Sequence, residues 1–158
     1  MSVNGEVFRK ETGESMKTSA ISGWKSQEGY TITIDLNSSK PIYLQICDSV
    51  ITQIAMGILT PGEKLPSSRR LSSALGINYH TVNRAYSQLI QEGYVTLDRR
   101  KRITINEIPE GKRSGFDPIW VERMKVILSE AVSKGFNSDM IMVKIQSILE
   151  DIESTKDE

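Results

Sequence analysis

The sequence predicts a mainly α fold with a small β wing: three helices and a two-stranded hairpin in the middle of the chain, then two further helices. Three observations predict it. Apolar residues recur at helical spacing in three consecutive stretches, through Ile46 to Ile54, Leu71 to Leu75 and Val82 to Ile90. Helix-starting or capping residues stand before those stretches and glycines after them, with Pro41 opening the first, Ser67 and Asn78 capping the next two, and Gly57, Gly76 and Gly93 at the ends. The apolar period drops to two only in short runs, Tyr30 to Leu36, Tyr94 to Leu97 and Arg102 to Ile105.

Residues 1–29 are rich in Gly, Ser, Glu, Lys and Thr without a sustained apolar period and are expected to be a disordered arm, with Trp24 as the oddity. Tyr30 to Leu36 alternates, placing Ile32, Ile34 and Leu36 on one face of a strand and Thr31, Thr33 and Asp35 on the other. The first helix opens at Pro41 and carries Ile46, Cys47, Val50, Ile51 and Ile54 on one stripe. Pro61-Gly62 makes a turn, and Pro66 delays the next helix until the cap Ser67. That helix is about two turns long, with Leu71, Ala74 and Leu75 inward and Gly76 suited to a left-handed C-terminal position. The third helix, 78–92, turns Val82, Ala85, Tyr86, Leu89 and Ile90 inward and Tyr79, His80, Asn83, Arg84 and Ser87 outward. Two strands joined by the basic tip DRRK follow. Residues 107–115 read as a linker. Asp117 and Pro118 then open a helix with Trp120, Met124, Ile127, Leu128 and Ala131 aligned, and Ser138 is expected to cap a last one bearing Ile141, Ile145, Ile148, Leu149 and Ile152.

The predicted architecture is thus a winged helix-turn-helix over 30–106, followed by a short α-helical dimerisation tail over 116–153. Two helices alone have too much surface for their volume to bury both stripes, so the tail should pack on another copy.

Composition narrows the chemistry. The chain has 158 residues, one cysteine and one histidine. Cys47 alone allows neither an internal disulfide nor a multi-cysteine metal site, and its place on an apolar stripe suits the core. No nucleophile elbow, phosphate loop or metal-ligand cluster is present, so neither an enzyme nor a cofactor is expected. Charged residues near the N-terminus and interrupted apolar runs predict a cytoplasmic protein without a membrane span. The charges balance overall, at 20 basic and 20 acidic. Their distribution does not: residues 41–105 carry eight basic against four acidic, residues 106–158 seven against eleven. The field therefore favours the middle module as the face that meets nucleic acid.

A short turn containing Gly76 between two helices, the second polar on its outer face, has the geometry of a motif that sets its second helix in the major groove. Arg69 and Arg84 can each fork two hydrogen bonds to guanine. Asn78, Tyr79, His80, Thr81 and Asn83 can reach phosphate or base edges, although capping alone would account for Asn78. Arg99, Arg100 and Lys101, with Arg102 beside them, lie where a wing touches the DNA backbone and would add salt-dependent affinity. A solvated basic surface is the alternative reading of each cation.

The stretch PIYLQICDSVITQIAMGILTPGEKLPSSRRLSSALGINYHTVNRAYSQLIQEGYVTL, residues 41–97, resembles the DNA-binding domain of GntR-family regulators, most specifically in PIYLQI, GILTPGEKLPSSR and TVNRAYSQLIQEGYV. The preceding strand and the tail SKGFNSDMIMVKIQSIL resemble the YtrA-like subfamily. The resemblance implies a homodimeric repressor, with Arg69 on the operator and residues 78–81 at the start of the recognition helix. Asn83 stands where many relatives have arginine, Arg70 replaces a usual glutamate, and the wing tip lacks the usual glycine. The metabolite-binding or aminotransferase-like domains of larger subfamilies are not expected here, since the residues after the linker are too few to hold either. The expected partners are double-stranded operator DNA with an inverted repeat and a second copy of the chain. A small-molecule effector is left open, and it would have to act at the dimer interface or between reader and tail. A winged helix that docks a protein instead of specific DNA is the rival reading, which the salt dependence of DNA binding would separate.

Overall fold

A computed structural model of the protein describes residues 5–12, 19–27, 29–107 and 115–155. The chain forms two compact units, Met1–Ile108 and Pro109–Glu158. Most of the expected linker, residues 108–114, lies outside the described residues.

The first unit begins with an antiparallel sheet of β1 (Gly5–Thr12), β2 (Ser19–Ser26) and β3 (Thr31–Asp35), in that order. This corrects the expectation of a disordered arm over 1–29, of which residues 1–4, 13–18 and 28 lie outside the described residues. The strands were hidden by their composition. Among the residues of β2 whose burial is described, the inward positions Ser22, Trp24 and Ser26 include one apolar side chain, so no hydrophobic period registers. Trp24 is 1% exposed and its ring lies 5.4 Å from that of Tyr30. The inward serine is satisfied, because Ser22 Oγ donates to the carbonyl of Leu75 at 3.2 Å.

On β3, Ile32 and Ile34 point inward, whereas Leu36, expected on the same face, is exposed because the strand ends at Asp35 and the chain turns. Its edge away from β2 is covered by α1 (Ile42–Ala55). Gln45 and Gln53, two turns apart on that helix, substitute for a strand. Gln53 Oε1 accepts from the N–H of Thr31 and Gln45 Oε1 from that of Asp35, both at 2.8 Å, while their amide groups donate back to the Thr31 and Asp35 carbonyls. Paired side-chain amides thus protect an edge that would otherwise offer itself to another chain.

Ile46, Cys47, Val50 and Ile54 of α1 join a single core with Leu71 and Leu75 of α2 (Ser68–Leu75) and with Val82, Ala85, Tyr86 and Leu89 of α3 (Tyr79–Gln91). Ile51 and Ala74 are half-buried at the margin of that core, and Ile90, expected inward, is 38% exposed at the edge of the apolar arc of α3. The α2–α3 corner forms as its residues dictate. Ser67 Oγ accepts from the N–H of Arg70, Gly76 takes φ 68°, and Asn78 Oδ1 accepts from the N–H of His80 at 2.8 Å.

Strands β4 (Val95–Leu97) and β5 (Ile103–Ile105) form the wing, with Val95 opposite Ile105 and Leu97 opposite Ile103. The segment between α1 and α2 lies along the far edge of β5. There Leu65 N–H donates to the Ile103 carbonyl at 2.9 Å, and Ile105 N–H to the Glu63 carbonyl at 2.8 Å. Buried Val95, Ile103 and Ile105 join the wing to the core.

The second unit pairs α4 (Pro118–Ser133) with α5 (Ser138–Ser154). Asp117 caps α4 and Pro118 fills its first position. The cap of α5 is Asn137, not Ser138: Asn137 Oδ1 accepts from the N–H of Met140 at 2.9 Å. Met124, Leu128 and Ala131 of α4 and Ile141, Ile145 and Ile152 of α5 are half-buried, but neither helix buries a residue fully.

Candidate nucleic-acid interface

The inward arc of α3 is held by the core, so its opposite arc, carrying Tyr79, His80, Asn83, Arg84 and Ser87, is turned outward. Asn78, Tyr79 and His80 are exposed at its N-terminal end, and Thr81 is half-buried. The Tyr79 and His80 rings meet edge to face, 5.7 Å apart. Helix N-termini favour anions, and three polar side chains there suit phosphate or base edges. Arg69, the second residue of α2, is exposed at that helix's own N-terminal end.

Two contacts were invisible in the sequence. Asn83 is half-buried, and its Oδ1 accepts from Ser68 Oγ at 2.8 Å, which ties α3 to the start of α2. Arg84 lays its guanidinium over the Tyr43 ring of α1, 3.9 Å from the centroid, and Nη2 donates to Tyr43 Oη at 3.3 Å. Ser68 could have been suspected from its place beside the cap. Nothing local points to Tyr43, which lies 41 residues from Arg84.

At the wing tip Asp98 organises the turn. Its Oδ1 accepts from the N–H groups of Arg100 and Arg102 at 2.8 and 2.9 Å, and Oδ2 takes the Arg102 guanidinium at 2.6 Å. The Arg102 N–H and then its side chain hold the Asp98 carboxyl below its ordinary value. Arg102 is thereby paired locally, while Arg99, Arg100 and Lys101 are exposed at the tip. Lys101 adopts φ 58°, the left-handed conformation that glycine takes without steric penalty.

Cys47 is buried, and burial foremost raises its thiol to about 11, so it stays protonated and unreactive in the core. Among the described residues no group of His, Cys, Asp and Glu could hold a metal ion, and no helix is long and apolar enough to cross a membrane.

Residues 42–105 match the family described as "Bacterial regulatory proteins, gntR family". The match starts at α1, beyond the three-stranded sheet. The chain is similar to the HTH-type transcriptional repressor YtrA of Bacillus subtilis, 32% identical over 130 residues that cover 79% of this chain and 97% of that one. It is 44% identical over 77 residues to the HTH-type pyridoxine biosynthesis transcriptional regulator PdxR of Corynebacterium glutamicum, but spans only 17% of that longer protein and uses 48% of its own length. Among solved structures, YtrA from Sulfolobus acidocaldarius, a GntR-family transcription factor, is 40% identical, with a TM-score of 0.52 covering 65% of this chain and 97% of the other.

Proposed function

Because the chain belongs to the GntR family of bacterial transcriptional regulators, as a YtrA-like member, we propose that it is a cytoplasmic homodimeric repressor that reads an inverted-repeat operator. The observation that carries this reading is the outward arc of α3, where hydrogen-bonding side chains stand on a helix whose opposite face is locked into the core. Each copy sets one α3 in the major groove of a half-site, and the two-fold axis of the dimer imposes the inverted repeat. Arg69 and Arg84, with residues 78–81 and Asn83, supply base and phosphate contacts. Arg99, Arg100 and Lys101 add sequence-independent attraction to the backbone.

The tail supplies the second copy's seat. Trp120, Ile127, Ile148 and Leu149 remain exposed on helices that bury nothing fully, and an open apolar groove lined by Val121, Met124, Leu128 and Val132 runs along α4. Apolar surface of this extent on two short helices is the signature of an interface. Transcriptional regulation, not catalysis, is the family's activity.

Selection of binding sites from random DNA duplexes tests the proposal, using the wild type, Arg69→Ala and Arg84→Ala. The expected result is an enriched inverted repeat whose preference is lost or relaxed in the variants. A folded, dimeric protein that enriches no sequence at low salt would overturn it and leave a protein-docking role in its place.

A further inference from the structure

The outward arc of α3 is braced on both flanks. On the α2 side Ser68 holds Asn83, and on the α1 side Tyr43 holds Arg84, the next residue in sequence and about 100° further round the helix. We propose that Tyr43 is the positioning residue for Arg84, fixing the guanidinium in the plane in which it meets DNA. The proposal rests on the DNA-binding reading and assigns a role to a residue outside the reading helix.

The geometry is specific. Tyr43 is half-buried in the first turn of α1 and packs against the core, so its ring is a fixed platform. Arg84 is exposed and would otherwise sample many rotamers. The guanidinium carbon lies over the ring at 3.9 Å from its centroid, and the bond to Tyr43 Oη engages one Nη2 hydrogen. A guanidinium has five N–H donors in one plane, so most of them are left at its edge, oriented and able to fork to a phosphate or to guanine O6 and N7. Ordering the side chain before binding removes part of the entropy that DNA contact would otherwise consume. Lysine could not replace Arg84 here, since an ammonium has no planar edge to present.

Operator affinity, its salt dependence, base preference and thermal stability are measured for Tyr43→Phe, Tyr43→Leu, Arg84→Ala, Arg84→Lys and the Tyr43→Leu/Arg84→Ala double variant. Tyr43→Phe keeps the ring beneath the cation and should bind nearly as the wild type does. Tyr43→Leu should weaken binding by about 2- to 5-fold per half-site, the range of an exposed cation–π contact, and should have no further effect once Arg84 is alanine. The altered property should match that of Arg84→Ala: a salt slope shallower by about 0.9 per lost contact if Arg84 meets phosphate, or relaxed preference at one base pair if it meets guanine. Arg84→Lys, which leaves α1 intact, should lose affinity as Tyr43→Leu does. Equal losses from Tyr43→Leu with and without Arg84, or a lower melting temperature at unchanged affinity, would overturn the proposal. A wild type that selects no operator sinks the DNA-binding reading as well, whereas a selective wild type unaffected by Arg84→Ala sinks this inference alone.

Discussion

Replacing Trp24 with alanine tests whether the N-terminal strands are part of the folded core. The side chain is 1% exposed, lies 5.4 Å from the Tyr30 ring, and belongs to the same cluster as Leu71, Leu75 and Ile46. Truncating a buried tryptophan removes its transfer free energy and leaves a cavity that the surroundings fill only in part, a loss of about 3–5 kcal/mol. A small domain has only about 5–15 kcal/mol in total, so the change is a large fraction of its stability. At about 4–8 °C per kcal/mol for a unit of this size, the melting temperature should fall by at least about 12 °C. The assay is urea and thermal unfolding followed by far-UV circular dichroism at fixed protein concentration, because Trp120 of the second unit would confuse a fluorescence readout and dimerisation makes stability concentration-dependent. With a urea slope of about 1–3 kcal/mol per molar, the midpoint should move by about 1 M or more. A shift equivalent to less than about 1 kcal/mol would refute the reasoning, since it is what substitution in a loose arm produces.

The wing and the tail supply further tests. Lys101→Gly relieves a left-handed residue at φ 58°, a strain of about 1–2 kcal/mol, against about 0.5–1 kcal/mol of extra chain entropy. Its urea midpoint should therefore rise slightly while Lys101→Ala gains nothing, and a midpoint for the glycine variant no higher than for alanine would count against the strain. Asp98 has a folded-state pKa held below the ordinary 3.8, so its contribution to the wing is complete above that value and is lost as pH falls through the lower folded value. The Arg100 and Arg102 amide resonances should follow one titration with a midpoint below 3.8, and a midpoint at or above it would contradict the turn geometry. Leu149→Arg puts a charge on the exposed apolar face of α5 and should convert a sedimenting dimer to monomer while α5 remains helical. A wild type that sediments as a monomer at micromolar concentration would remove the tail's assigned role.

The three reader helices were legible because their inward residues, Ile46 to Ile54, Leu71 to Leu75 and Val82 to Leu89, are apolar at the spacing of the helix and their caps stand beside them. Boundaries shifted by a residue or two, as at Asn137 and Val95. The outward residues of α3 were legible for the same reason, since an inner stripe defines its opposite. Strand β2 was not, because Ser22 and Ser26 occupy inward positions, and the partner that satisfies Ser22 there, the Leu75 carbonyl, lies 53 residues away.

What the sequence determined by itself is therefore what neighbours within a few residues encode: the helices, the Gly76 corner, the caps of α2, α3 and α4, the basic wing and the apolar stripes of the tail. Tertiary structure alone decided that Trp24 is core, that Gln45 and Gln53 close the edge of β3, and that Tyr43 carries Arg84. The physical reason is separation along the chain. Periodicity and capping act through bonds and turns only a few residues long, whereas a ring under a guanidinium 41 positions away exists only once the core has brought two helices side by side.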